Sequence, residues 1–321
     1  MLHSTFTIHR KETTCLVFEL SELPGIFINN IVPILLIAGV GYFSARWLDV
    51  PAKPVGSLIY YVFSPVLIFD LIYTSEIDGD EFLLLFVATV AFQLLISAVT
   101  YGALYFQEAS PVERANVLIS TFSLNAGNYG LALVSFAFGA EVLSRAAIVF
   151  VSNTILNYSF GVFVASNGKG SPRDALKNVL VTPALYAVVL AIVLQATNTT
   201  LPLAINRSVT SMAGVAIPLM LILLGIQLGS FTNLNRLRLV GTGVFIKLLI
   251  APFIALGLVL LLSIHDEARI AFIMQASMPT AVVSIILTTE FDLDAELALN
   301  LIMVSTFLSP ITLSILIAIL T

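Results

Sequence analysis

The stretch Leu124-Asn125-Ala126-Gly127-Asn128-Tyr129-Gly130-Leu131 lies in the middle of a long apolar segment, residues 113–139. Two glycines and two asparagines in so short a stretch favour turn or left-handed backbone over helix. We therefore expect the helix of this segment to be broken in its middle, with a second half that begins near Asn128.

The composition shows what surrounds that break. The chain has 321 residues, of which 59% are hydrophobic and only 10% are charged, and its mean hydropathy is +1.03. Soluble domains carry about 25% charged residues, so this chain must be solvated by lipid. Hydrocarbon does not tolerate the free N–H and C=O groups of a broken helix unless protein or a watery cavity satisfies them. The composition therefore predicts an all-α polytopic membrane protein with an internal site where its helices are broken.

Hydropathy divides the chain into ten apolar segments, each long enough to cross a hydrocarbon core of about 30 Å. We expect transmembrane helices at residues 26–46, 54–74, 82–106, 113–139, 142–166, 176–196, 204–229, 237–263, 268–290 and 296–320. The strongest linker signal, residues 167–174, falls at the midpoint and invites a search for two related halves.

Five landmarks recur in the same order in the two halves, at separations of 150 to 155 residues. They are Pro33 and Pro183, Pro65 and Pro218, Gln93 and Lys247, Arg114 and Arg269, and Gly127 and Pro279. Because each half has five spans, the second half enters the membrane from the opposite side, and the halves are inverted repeats. We expect an N-terminal extension (1–24), a first repeat (25–167), a cytoplasmic linker (168–175) and a second repeat (176–321).

A second broken helix is predicted in span 9, at Gln275-Ala276-Ser277-Met278-Pro279-Thr280-Ala281, because Pro279 donates no backbone hydrogen bond. Broken helices at matching positions of inverted repeats point to a transporter binding site near the bilayer midplane. The half-helix N-termini near Asn128 and Pro279 would bring positive dipole ends to the crossing, which suits a carboxylate. Alternatively, each break is a kink that serves helix packing.

Lys247 is the one basic residue predicted deep within a span, about 16 Å from the start of span 8 by the helical rise. A charge at that depth is a functional candidate by default. Three interpretations stay open: Lys247 counters an anionic substrate, it occupies the place of a coupling cation, or it bonds broken-helix carbonyls structurally. Its repeat counterpart is Gln93.

Polar residues four apart share a helix face, as in Asn153 with Asn157 and Ser305 with Ser309. Such pairs more often join helices than bind ligand, yet Asn153 lies where it could line the site. The candidate substrate-binding residues are Asn125, Gly127, Asn128, Tyr129, Gly130, Ser277, Pro279, Thr280, Lys247, Gln93 and Asn153.

Several function classes are excluded. Enzyme signatures and phosphate loops are missing, so we expect no enzyme, no cofactor and transport that is secondary or passive. The single cysteine, Cys15, excludes a disulfide framework and a cysteine metal site, and we predict no metal. The absence of a large Lys/Arg cluster sets nucleic acid aside as a partner.

Basic loop residues predict the orientation by the positive-inside rule. One side carries Arg46, Lys53, Arg114, Lys169, Arg173, Lys177, Arg236 and Arg238. The other carries Arg145, Arg207 and Arg269, with Arg10 and Lys11 of the extension. We expect both termini outside the cell membrane, and an extension (1–24) that is disordered or surface-lying, since its apolar run is too short for a signal peptide.

The motifs Asn125–Gly130, Phe136–Gly139, Met278–Val282 and Leu308–Pro310 resemble those of the prokaryotic auxin efflux carrier family, in the bile acid/sodium symporter superfamily. The resemblance covers residues 26–321 and implies ten helices, with a scaffold from helices 1, 2, 6 and 7. Helices 3–5 and 8–10 would form a transport domain that moves as an elevator. It further implies small organic anion substrates, such as auxin in plants or malate and malonate in bacteria, and a homodimer formed through the scaffold.

Two positions depart from the family pattern: Ala132 stands where similar members often carry proline, and Val283 where they carry asparagine. Span 4 also lacks the proline that plant carriers place at the crossing, so plant-type auxin recognition is not carried over. The leading hypothesis is a secondary carrier of small carboxylates that binds them at the helix 4/9 crossover. The nearest alternative is a sodium-coupled symporter of the bile acid type, against which the lack of acidic residues beside the breaks weighs. A ligand-binding membrane sensor is a third reading, and the short predicted loops argue against it.

Overall fold

The computed structural model describes residues 23–75, 77–165, 180–229 and 234–321. The predicted linker at 168–175 and residues 1–22 of the predicted extension lie outside the described residues, whereas Leu23 and Pro24 already belong to the first helix. The described helices are α1 (Leu23–Trp47), α2 (Ala52–Tyr73), α3 (Gly79–Phe106), α4 (Pro111–Phe122), α5 (Ala126–Ala165), α6 (Pro183–Ala196), α7 (Leu203–Leu228), α8 (Leu237–Leu261), α9 (Asp266–Ala276), α10 (Val283–Glu290) and α11 (Ala295–Leu320).

The described part of the chain is all-helical, as predicted, apart from one isolated β-bridge. Seven of these helices are long and apolar enough to cross a membrane: α1, α2, α3, α5, α7, α8 and α11. Helix α5 has 40 residues, which is about 60 Å and twice the hydrocarbon thickness. It bends at Gly139, whose φ of 81° is the one positive glycine φ in the described ranges. The bend coincides with the predicted boundary between spans 4 and 5.

Proline explains where several helices widen into π-helical turns. The π segments Phe27–Ile31, Ile59–Phe63 and Ile246–Ile250 each end two residues before a proline: Pro33, Pro65 and Pro252. A proline ring clashes with the carbonyl four residues earlier and cannot donate to it, and a wider turn relieves that clash. The third segment contains Lys247, so Pro252 shapes the backbone that carries the intramembrane lysine.

Helices α1 and α7 approach each other at glycines. A Cβ on Gly41 would overlap the Ile222 carbonyl, and a Cβ on Gly225 would overlap the Ala38 carbonyl. Small residues that permit close backbone approach are typical of membrane helix interfaces. Helices α2 and α6 join differently, because Gln195 of α6 donates hydrogen bonds to the Ile72 and Ser75 carbonyls, both at 2.7 Å.

We expect Gly225→Val to destabilise the α1–α7 pair, because its Cβ would meet the backbone of α1 and the helices would have to separate. Overpacking of this kind costs about 1–3 kcal/mol. Gly214→Val in the same helix is the matched control, since a Cβ at Gly214 meets nothing within 4 Å. Thermal denaturation in detergent micelles measures both variants. Equal melting temperatures for the two would show that the α1–α7 contact does not depend on Gly225.

Candidate functional site

The first helix break lies slightly earlier than the sequence predicted. Helix α4 ends at Phe122, Ser123 is extended (φ −76°, ψ 114°), and α5 begins at Ala126 rather than near Asn128. Gly127 and Gly130 thus belong to the first, π-helical turn of α5 and have no positive φ. The prediction that these glycines supply irregular backbone is wrong.

Close packing explains both glycines instead. A Cβ on Gly127 would lie 2.7 Å from Cε2 of Phe150, and a Cβ on Gly130 would overlap Oε1 of Gln275. Glycine is used where neighbouring groups approach the backbone as well as where φ is positive. The glycines therefore let α9 and the middle of α5 close around the first turn of α5.

The second break lies at the predicted proline. Helix α9 ends at Ala276, and α10 begins at Val283, four residues beyond Pro279. The intervening residues run past the first break, where Leu124 and Thr280 form an antiparallel bridge. The Asn125 N–H donates to the Pro279 carbonyl at 2.9 Å, and the Ala281 N–H donates to the Ser123 carbonyl at 3.1 Å. Each broken helix thus satisfies backbone groups of the other, as a low-dielectric setting demands.

Side chains of the last apolar segment of each half complete this crossing. The Asn153 amide pairs with both backbone groups of Leu124: its Nδ2 donates to the carbonyl at 3.1 Å and its Oδ1 accepts from the N–H at 3.2 Å. Ser305 Oγ of α11 accepts from the Thr280 N–H at 3.1 Å. Asn157 Oδ1 accepts from the Ser123 hydroxyl at 2.9 Å. Asn153 therefore holds the crossing, the joining role that the polar pairs most often play.

Lys247 is fully buried, and its Nζ donates to the Thr121 carbonyl at 2.7 Å. Gln93 Nε2 lies 3.4 Å from the next carbonyl, that of Phe122, and donates to Asn153 Oδ1 at 2.8 Å. Both carbonyls lie in the last turn of α4, so they have no hydrogen-bond partner within their own helix. Lys247 and Gln93 therefore converge on the negative end of α4 from α8 and α3. This contact matches the structural interpretation of Lys247, and it is also where a cation would be favoured.

Ten of the eleven predicted site residues are buried, and Asn128 alone is half-buried. Asn128 lies in the first turn of α5, which packs against α7. Ser277 donates its hydroxyl to Ile273 of its own helix at 2.7 Å. Asn128 is therefore the candidate residue with the most direct access to a ligand that approaches the crossing.

Several buried polar atoms around the crossing have no hydrogen-bond partner among the described residues. They include Oε1 of Gln93, Oε1 of Gln275 and Nδ2 of Asn125. The Tyr129 hydroxyl lies near Ser309 but makes no hydrogen bond of normal geometry with it. Buried polar atoms are usually paired, so the crossing retains unused donors and acceptors that a polar ligand or water could satisfy.

Sequence reasoning left four residues of this arrangement out of its candidate set: Ser123, Asn157, Gln275 and Ser305. Asn157 and Ser305 carried a signal, since each belongs to a polar pair four residues apart. Gln275 is the first residue of the second broken stretch and Ser123 precedes the first one, and only the contacts to Gly130 and to Asn157 reveal their place.

Chemically, the crossing offers neutral donors and acceptors and one amine. The positive N-terminal ends of α5 and α10 lie beside it, and Lys247 and Tyr129 are the titratable residues among those described at the crossing. Among the described residues, no group of His, Cys, Asp and Glu could hold a metal ion. These polar groups, the amine and the helix ends are suited to binding a ligand by its charge and shape.

Comparison with known proteins agrees with the architecture. The model of a family described as membrane transport protein matches residues 171–317. An uncharacterized transporter of Methanothermobacter thermautotrophicus is 26% identical over 265 residues, which cover 82% of this chain and 87% of that protein. An uncharacterized transporter of Methanocaldococcus jannaschii is 25% identical over 294 residues, which cover 86% of this chain and 93% of the relative. These matches agree with the resemblance noted in the crossover motifs: the chain is an integral membrane protein that resembles the membrane transport proteins of the auxin efflux carrier family.

Proposed function

We propose that this chain is a secondary carrier of small organic anions such as carboxylates, which it binds at the crossing of the two broken helices. The observation that carries the proposal is the pairing of Ser123 and Asn125 with Ala281 and Pro279, which brings the N-termini of α5 and α10 to one place. Two positive helix ends favour a carboxylate. The half-buried Asn128 amide on the first turn of α5 supplies a neutral donor beside them.

The proposal includes ten transmembrane helices in two inverted repeats, residues 25–167 and 176–321. Helix α4 with the first part of α5 makes span 4, the rest of α5 makes span 5, and α9 with α10 makes span 9. The two backbone hydrogen bonds of the crossing are symmetric, which supports the inverted repeats. Asn125 donates to Pro279, and Ala281, which follows Asn125 by 156 residues, donates to Ser123, which precedes Pro279 by 156 residues.

We further propose elevator movement between a scaffold of spans 1, 2, 6 and 7 and a transport domain of spans 3–5 and 8–10. The direct packing of α1 on α7 and of α2 on α6 supports the scaffold. The crossing is held by side chains of α3, α5, α8 and α11, which supports their moving as one body. The proposal also includes a homodimer through the scaffold and a cell-membrane location with both termini outside.

A proteoliposome flux assay tests the function with labelled malate, malonate and indole acetate, with and without sodium or pH gradients. We expect uptake or exchange of at least one of these anions. Flux that requires sodium would favour the bile acid type of symporter instead. Binding of an anion without flux would overturn the carrier and favour a sensor.

Asn128→Ala is expected to lower anion flux about tenfold, because one hydrogen bond to a charged group is worth about 1.5–3 kcal/mol. The matched control is Asn206→Ala, at an exposed position in the first turns of α7. Both variants should be expressed at the level of the parent chain. Equal flux for both would place the substrate away from the first turn of α5.

A further inference from the structure

A second polar pocket lies away from the crossing, where α3 ends and α4 begins. It is open to the surface, has a volume of about 450 Å³ and is lined by Tyr105, Phe106, Glu108, Ala109 and Arg114. Helix α3 has 28 residues, about 42 Å by the helical rise, whereas the hydrocarbon core is about 30 Å thick. The end of α3, and with it this pocket, therefore reaches the depth of the lipid headgroups.

Two opposite charges line this pocket without pairing. The Arg114 guanidinium lies 5.7 Å from the centre of the Tyr101 ring, a cation–π contact. Neither Arg114 nor Glu108 takes part in an ion pair within the residues that the structure describes. Arg114 also lies in the first turn of α4, where the helix dipole disfavours a cation. Arg114 therefore neither pairs with a carboxylate in this region nor interacts favourably with the dipole of its own helix.

Large aromatic side chains form the rim. Tyr105 is 63% exposed and Phe106 is 85% exposed. Aromatic residues at this depth are typical of the membrane–water interface, where one end of the ring meets lipid and the other meets water. A ligand of this pocket would thus have a polar head between the two charges and an apolar part along the outer face of α3.

We propose that the pocket binds the headgroup of a zwitterionic phospholipid that carries a primary ammonium group, as in phosphatidylethanolamine. Arg114 binds the phosphate, because a guanidinium presents its donors in a fork that fits phosphate oxygens. Glu108 accepts hydrogen bonds from the ammonium. A choline headgroup has no N–H to donate, and a glycerol headgroup has no positive charge. Free phosphate would leave Glu108 unpaired and would be repelled by it.

Native mass spectrometry tests this on the full chain released from micelles that hold equal amounts of phosphatidylethanolamine, phosphatidylcholine and phosphatidylglycerol with the same acyl chains. We expect the ethanolamine lipid to be retained about tenfold more than either of the others. Glu108→Gln should remove the preference for ethanolamine over choline. Arg114→Gln should reduce retention of all three lipids.

Arg269→Gln is the matched control, because Arg269 is the repeat counterpart of Arg114 and also lies in the first turn of its helix. It should retain lipid as the parent chain does, which separates the pocket from a general loss of positive charge. Equal retention of the three lipids by the parent chain would overturn the proposal. So would unchanged retention in Arg114→Gln. Neither result depends on whether the chain carries organic anions.

Discussion

Lys247→Ala is expected to lower anion flux by about tenfold to a hundredfold. The substitution removes the amine that donates to the Thr121 carbonyl at 2.7 Å and leaves that carbonyl buried at the negative end of α4. A buried charge-assisted hydrogen bond is worth about 1.5–3 kcal/mol, and about 1.4 kcal/mol corresponds to tenfold. The proposed substrate site lies at the adjoining break, so a shift of α4 would displace residues of that site and lower the flux. The proteoliposome assay measures it.

Lys53→Ala is the matched control, because Lys53 is exposed in the first turn of α2. Methylammonium added to Lys247→Ala should restore part of the flux, since a small amine can occupy the space of the lost side chain beside Thr121. Rescue by the amine would assign Lys247 an electrostatic role. Full flux in Lys247→Ala without any added amine would show that the end of α4 needs no donor from α8.

The sequence predicted the existence of the two breaks because the physics behind them is general. Pro279 cannot donate a hydrogen bond, and hydrocarbon forbids unpaired backbone. The exact position of the first break was harder to predict. Glycine serves both positive φ and close approach, and Gly127 and Gly130 serve the second purpose, while Gly139 supplies the positive φ that ends span 4.

The hydrogen-bond partners of Lys247 and Asn153 could not be predicted from the sequence either. Depth along a helix identified Lys247 as unusual, but which carbonyl it meets depends on how α8 packs on α4. The pairing of residues 123–125 with 279–281 is of the same kind, since it joins elements more than 150 residues apart. Periodicity along a helix indicates which residues share a face, and only the packing of the helices decides what that face meets.

Asn153→Leu is expected to destabilise the protein more than any other single change at the crossing. It leaves the Leu124 N–H and the Leu124 carbonyl without their partner, and the Gln93 amide keeps only its 3.4 Å contact with the Phe122 carbonyl. Each unsatisfied buried group costs about 1–3 kcal/mol, so we expect a loss of at least about 2 kcal/mol from the two Leu124 groups. Thermal denaturation in micelles and the yield of folded protein measure the effect.

Ser152→Ala provides the matched control, because Ser152 is buried beside Asn153 and its hydroxyl bonds only the Ile148 carbonyl of its own helix. Asn153→Asp should also destabilise the protein relative to Ser152→Ala, since a carboxylate no longer donates to the Leu124 carbonyl and adds a buried charge beside it. If Asn153→Leu and Ser152→Ala had equal melting temperatures, the pairing between residues 123–125 and 279–281 would be sufficient by itself to hold the broken helices together.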